Sequence, residues 1–212
     1  PIDFGPQSVT GTYTIVAISQ SNYCQEMMNG SIVINPNPFV FNIVPAGTLC
    51  VGQSVGLSGS ETGVSYQLFN GITLVGPVMA GTGNALDFGP QWIGGTYTVK
   101  AVNDLTGCTS EMNDSTVFQP LPTSYAIYPQ GTNCSGSNII LNGSDLGIMY
   151  ILMLNNAFPV DTLSGTGGIL DFGVQVLSGT YTVIASATSI TCQSVMSGST
   201  VIVNNPLVYN VI

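Results

Sequence analysis

Ten side chains in this sequence carry types and spacings that could do chemistry. Five are the cysteines Cys24, Cys50, Cys108, Cys134 and Cys192. The other five are acids at two recurring positions: Glu61 with Asp145, and Asp87 with Asp171 and Asp3. Cysteines can form disulfides, hold metal or act as nucleophiles. Zinc needs four ligands, and there is no CxxC and no His to supply them. A catalytic thiol needs a base, and none recurs beside any cysteine. A glycosidase needs two carboxylates flanking one bond, and the recurring acids lie in separate segments. Calcium needs several converging oxygens. Glu61-Thr62-Gly63 reads more simply as a turn, and Asp87 as a side chain that satisfies a loop amide. Structural disulfides are the reading left for the cysteines, and these require an oxidising compartment.

The composition narrows the field further. The 212 residues hold one Lys or Arg, ten Asp or Glu and no His, for a net charge of −9. No His-based triad and no phosphate-binding basic patch can be built from this set. Nucleic acid is therefore not an expected partner. No segment reaches the ~18 apolar residues that span a membrane, so direct membrane insertion is not expected. Nor does a cationic segment followed by an apolar run open the sequence, so no secretory leader is expected within it. With 44% apolar residues the chain is expected to fold. Neither catalysis nor a cofactor is expected.

The elements that must position the cysteines come from an internal repeat. Leu86-Asp87-Phe88-Gly89 recurs at Leu170-Asp171-Phe172-Gly173, and Gly95-Thr96-Tyr97-Thr98 recurs at Gly179-Thr180-Tyr181-Thr182 and Gly11-Thr12-Tyr13-Thr14. Cys24, Cys108 and Cys192 fall in register, as do Met28, Met112 and Met196. Every shift is 84 residues, and 33 of 84 positions are identical between 45–128 and 129–212. That period suits a small all-β domain better than a solenoid unit. The expected domains are residues 1–38, the C-terminal half of a repeat; 39–122 and 123–206, complete repeats; and 207–212, the first strand of another. A half-sandwich would leave its inner face bare, so residues 1–38 are expected to belong to a longer array or to be completed by a neighbouring molecule.

Within the 39–122 repeat, strands are expected near Phe39–Val44, Ser54–Ser58, Val64–Phe69, Ile72–Val75, Ala85–Phe88, Gly95–Val102 and Ser110–Phe118. Val64, Tyr66 and Leu68 alternate with Ser65 and Gln67, the signature of one buried and one wet face. Seven short strands between turn clusters predict tandem immunoglobulin-like Greek-key β-sandwiches. Tyr97 stands where such folds carry a tyrosine whose hydroxyl bonds back to the preceding chain, with a core aromatic in an amphipathic strand as the alternative. Asn35-Pro36-Asn37-Pro38, Gln119-Pro120-Leu121-Pro122 and Asn204-Asn205-Pro206 predict stiff linkers and an extended array.

The expected disulfides lie within repeats: Cys50–Cys108 and Cys134–Cys192, with the partner of Cys24 outside the sequence. Two contact surfaces are candidates. Met149, Ile151 and Met153 would face outward if Tyr150 and Leu152 face the core, with a strand covered by its own loop as the alternative. Trp92 could stack on a sugar or anchor its loop.

Gly-Thr-Tyr-Thr-Val, a Cys in the following hairpin, Ser/Thr-Val before a proline linker and the start Thr48-Leu49-Cys50-Val51-Gly52-Gln53-Ser54-Val55 together resemble the Ig-like repeat regions of giant Bacteroidota cell-surface adhesins, of the SprB gliding-motility type. The resemblance covers the whole sequence. It implies type IX secretion, an extracellular cell-surface filament, and adhesion to polysaccharide or abiotic surfaces alongside neighbouring repeats or chains of the same filament. It also points to O-glycosylation at Asp114-Ser115-Thr116 and Asp161-Thr162-Leu163, hence Ser115 and Thr162. Alternatives are a carbohydrate-binding module array and a polymerising subunit completed by strands from a neighbour.

Overall fold

The computed structural model describes residues 2–187 and 192–206. All regular structure in them is β. The expected strand at 207–212 lies outside the described residues. By contact density the chain forms two compact units: residues up to Ala46 with Ser54–Gly89 and Thr96–Thr116, and Gly47–Gln53 with Pro90–Gly95 and the chain from Val117 onward.

The 123–206 repeat shows the architecture most fully. Ile127–Tyr128, Ser137–Leu141 and Leu170–Gln175 form one antiparallel three-stranded sheet. The second sheet runs in the order Gly131–Cys134, Thr200–Val203, Gly179–Ala187, Ile148–Leu154, Phe158–Ser164, with Gln193–Val195 also paired to Gly179–Ala187. Its first pair is parallel, and the rest are antiparallel. Non-consecutive neighbours make it a Greek key. Alternation places Ile139, Leu141, Tyr150, Leu152, Phe172, Tyr181, Val183 and Ala185 in one buried core drawn from both sheets. Two sheets that each bury one face against the other give the small domain a single interior.

The 39–122 repeat has the same strands in the same order. Val55, Leu57, Tyr66, Leu68, Tyr97, Val99 and Phe118 are among its buried residues. Two expectations need correction. Gly47–Cys50 is a strand that the pattern did not show. The expected Ser110–Phe118 strand is two, Thr109–Glu111 and Thr116–Gln119. Asp114, with φ of 67°, turns the chain between them, and a left-handed residue cannot continue a ladder.

Residues 2–34 hold only four three-residue strands, Gly11–Tyr13 with Ile32–Ile34 and Val16–Ile18 with Gln25–Met27. Positions that are buried in the other repeats are open here. Ile2 is 84% exposed where its counterpart Leu86 is 7%, and Ile15 is 46% exposed where Val99 is 0%.

Candidate functional site: the cystine and the repeat ends

The one disulfide among the described residues joins Cys50 to Cys192, across 142 residues, with Cα atoms 5.5 Å apart. Cys24, Cys108 and Cys134 are unbonded. The expected pairs Cys50–Cys108 and Cys134–Cys192 are therefore corrected. Strand direction supplies the reason. Cys134 lies beside Val203, at the Gly179 end of the Gly179–Ala187 strand. The backbone N–H of Ala187, at that strand's other end, donates to the Cys192 carbonyl at 3.1 Å. Nine residues of strand, roughly 30 Å at ~3.4 Å each, separate the two ends, far beyond disulfide reach.

The same holds in the preceding repeat. The Val51 N–H, next to Cys50, donates to the Gln119 carbonyl at 3.0 Å, at the trailing end. Cys108 sits in the hairpin after Gly95–Asn103, where the Asn103 N–H donates to its carbonyl at 2.8 Å. Its Sγ lies 3.9 Å from the Asn35 carbonyl, at the leading end. Each repeat thus carries one cysteine at each end, and the observed bond runs from the trailing end of one repeat to the leading-end hairpin of the next.

Trp92 stands beside the trailing cysteine. It is 70% exposed. A Cβ on Gly52 would come within 2.9 Å of its ring, so the indole rests directly on Gly52. The Gly52 N–H donates to the Gln91 carbonyl at 2.6 Å. Gly52, with φ of 95°, makes the tight turn that admits the ring.

The recurring acids fasten the leading ends. Glu61 Oε2 accepts the Phe39 N–H at 2.5 Å. In the next repeat Asp145 Oδ2 accepts the Thr123 N–H at 3.2 Å, and Oδ1 accepts the Tyr125 hydroxyl at 2.6 Å. The Tyr125 hydrogen bond is the main cause that holds the Asp145 carboxyl below its ordinary range; partial burial opposes it, and the Thr123 bonds assist. Asp87, Asp171 and Asp3 each accept a loop amide at 2.8 Å, from Gly89, Gly173 and Gly5. Among the described residues, no three His, Cys, Asp or Glu side chains come together as a metal site.

Sequence reading missed the methionines. Met112 and Met196 accept the N–H groups of Phe41 and Tyr125 through sulfur at 3.4 Å. Their exact recurrence was the available signal, but thioethers are weak acceptors and usually packing residues.

Met149, Ile151 and Met153 are half-buried, on the face of their strand opposite Tyr150 and Leu152. Ile151 pairs with Ile184 on one side and Thr162 on the other. Thr162 is exposed and Ser115 half-buried.

The Tyr181 hydroxyl donates to the Leu177 carbonyl at 2.9 Å, and Tyr13 to Val9 at 2.8 Å. With the sheet order already described, this bond back to the preceding chain decides the fold. These are immunoglobulin-like domains.

No known family profile matches the Ig-like chain, and no curated protein sequence matches it. Solved structures similar to it include an I-band fragment, I67–I69, of titin, at 15% identity and a TM-score of 0.43, covering 81% of this chain and 67% of that one. Fibronectin(III)-like modules of Clostridium thermocellum CbhA share 13% identity at a TM-score of 0.32, covering 82% and 99%. Sidekick-1 immunoglobulin domains 1–5 share 12% at 0.33, covering 92% of this chain and 46% of that one. No helix among the described residues is long and apolar enough to cross a membrane.

Proposed function

We propose that this chain is a load-bearing, adhesive segment of an extracellular cell-surface filament built from Ig-like repeats. The Cys50–Cys192 bond carries the reading, because it spans a sequence separation of 142 and ties one repeat to the next. Such a bond does nothing for turnover and a great deal for resistance to pulling. Tandem repetition multiplies reach and valency, where an enzyme needs one site. A chain with 5% charged residues has weak long-range fields, so its contacts are short-range and individually weak. Polysaccharide or abiotic surfaces are the partners this reading assigns, together with neighbouring repeats or chains of the filament. Attachment during gliding, after type IX secretion, is the finer form of the same proposal and rests on the motif resemblance alone.

Single-molecule pulling through residues 1 and 212 tests it. With the cystine closed, the chain between cysteines separated by 142 positions cannot extend, which withholds roughly 500 Å of contour at ~3.5 Å per residue. Reduction should restore that length. Equal extension in oxidised and reduced chains would remove the mechanical basis of the proposal.

A further inference from the structure

Residues 2–34 form half of a sandwich with an apolar groove of about 850 Å³, lined by Ile2, Phe4, Tyr13, Ile15, Met28 and Ile34 among others. In the complete 39–122 repeat the counterparts of five of these, Leu86, Tyr97, Val99, Met112 and Phe118, are all buried. There the first half of the repeat supplies both the facing sheet's strand Gln53–Leu57 and the neighbouring strand Val64–Asn70, which pairs antiparallel with Gly95–Asn103. The groove therefore has the shape of one occupant: a first half-repeat of the kind spanned by residues 39–84.

A second, independent relationship points to the same occupant. Cys50 precedes Val51, whose N–H bonds to Gln119, and Cys50 is bonded to Cys192. Moving each position back by 84 residues turns Gln119 into Asn35 and Cys192 into Cys108. Cys108 Sγ does lie beside the Asn35 carbonyl, 3.9 Å away. The missing member is a cysteine equivalent to Cys50, on a strand running along Ile32–Ile34. That strand has a partner on one side only among the described residues, Gly11–Tyr13.

We infer that residues 2–34 and Cys108 together form a receiving site for the first half of a preceding repeat. The half-repeat fills the groove, and its cysteine bonds to Cys108. Closure joins the two Sγ atoms; their two electrons pass to a disulfide oxidant, which leaves as two thiols carrying the two protons. Generalised, the first cysteine of each repeat bonds to the second cysteine of the following one. Along an array this gives two interleaved covalent rails. One runs from Cys24 along the chain to Cys50 and across to Cys192. The other leaves Cys108 along the chain to Cys134 and crosses to a later repeat. The segment from Cys50 to Cys108 is a rung between them.

The test fuses a copy of residues 39–84 directly ahead of Pro1 in the full chain, which restores the repeat register. The copy carries Leu49→Val as a mass label. After refolding with oxidised glutathione, non-reducing peptide mapping should find the labelled cysteine on Cys108 and the native Cys50 on Cys192. The native bond in the same molecule reports that folding and oxidation took place. A labelled cysteine found on Cys24, which is the within-repeat pair, or left free in that population overturns the inference; so does loss of the Cys50–Cys192 bond. A second fusion with the labelled cysteine changed to Ser should leave Cys108 open to alkylation while still slowing amide exchange at Ile15 and Ile34 at least tenfold. Unchanged exchange there would show that the groove takes no half-repeat.

Discussion

The Tyr125 hydroxyl donates to Asp145 Oδ1 at 2.6 Å, and the same carboxylate takes the Thr123 N–H on its other oxygen. One side chain thus fastens the first residues of a repeat to the turn after its Ser137–Leu141 strand. The ionised carboxylate makes both bonds, so its proton affinity is lowered in the fold, while the Tyr125 phenol is raised, chiefly by the same hydrogen bond. A depressed carboxyl contributes fully above its unfolded value of 3.8 and loses that contribution as pH falls through the lower folded value. Asp145→Asn should be less stable than wild type at pH 7 in urea titrations. The gap should close as pH drops below about 4. A gap independent of pH would mean that the carboxylate's charge is irrelevant to the clamp.

Tyr150 is fully buried, and its hydroxyl accepts the Asp145 N–H at 2.8 Å, as Tyr66 accepts the Glu61 N–H at 2.9 Å. Tyr150→Phe keeps the ring and leaves that amide without its acceptor. We expect a loss of about 1–2 kcal/mol, read from the urea midpoint at constant slope. Tyr181→Phe removes the bond to Leu177 and should cost about 1 kcal/mol. Wild-type midpoints in both variants would show that these hydroxyls are spectators.

Gly165 and Gly81 allow a backbone approach that no side chain permits. A Cβ would stand 1.9 Å from the Asp145 carbonyl oxygen at Gly165 and 1.8 Å from that of Glu61 at Gly81. The obstacle is backbone on both sides, so it cannot rotate away. Gly165→Ala should cost about 3 kcal/mol or more, measured by thermal denaturation. A shift in Tm within about 2 °C would show that the two loops do not pack this closely.

The face carrying Met149, Ile151 and Met153 gives the adhesive part of the proposal its own check. Replacing all three with Thr keeps good strand formers and removes the apolar surface. Adhesion of coated beads to polystyrene should fall several-fold while the circular dichroism spectrum stays β. Undiminished adhesion by a folded variant would exclude this face as the contact.

Much of the fold was legible because it is written in periods. The 84-residue recurrence and the alternation in Val64–Leu68 and Tyr97–Ala101 give strands, faces and the sandwich class. The tyrosine hydroxyl bond to the preceding chain, expected at Tyr97, is made by its counterpart Tyr181. Gly47–Cys50 was not legible. Four residues beside a proline and a glycine turn show no alternation, and their pairing is supplied by Thr116–Gln119, about 70 residues away. That omission hid where Cys50 points. Recurrence also returns the same cysteines whether they pair within or between repeats. Only strand direction, which carries Cys50 and Cys108 to opposite ends, separates the two.

Non-reducing chymotryptic mapping of the intact chain, with free thiols alkylated first, tests the account most directly. It predicts one cross-linked species joining the peptides of Cys50 and Cys192, with Cys24, Cys108 and Cys134 alkylated. Recovery of Cys50 with Cys108, and Cys134 with Cys192, would contradict it.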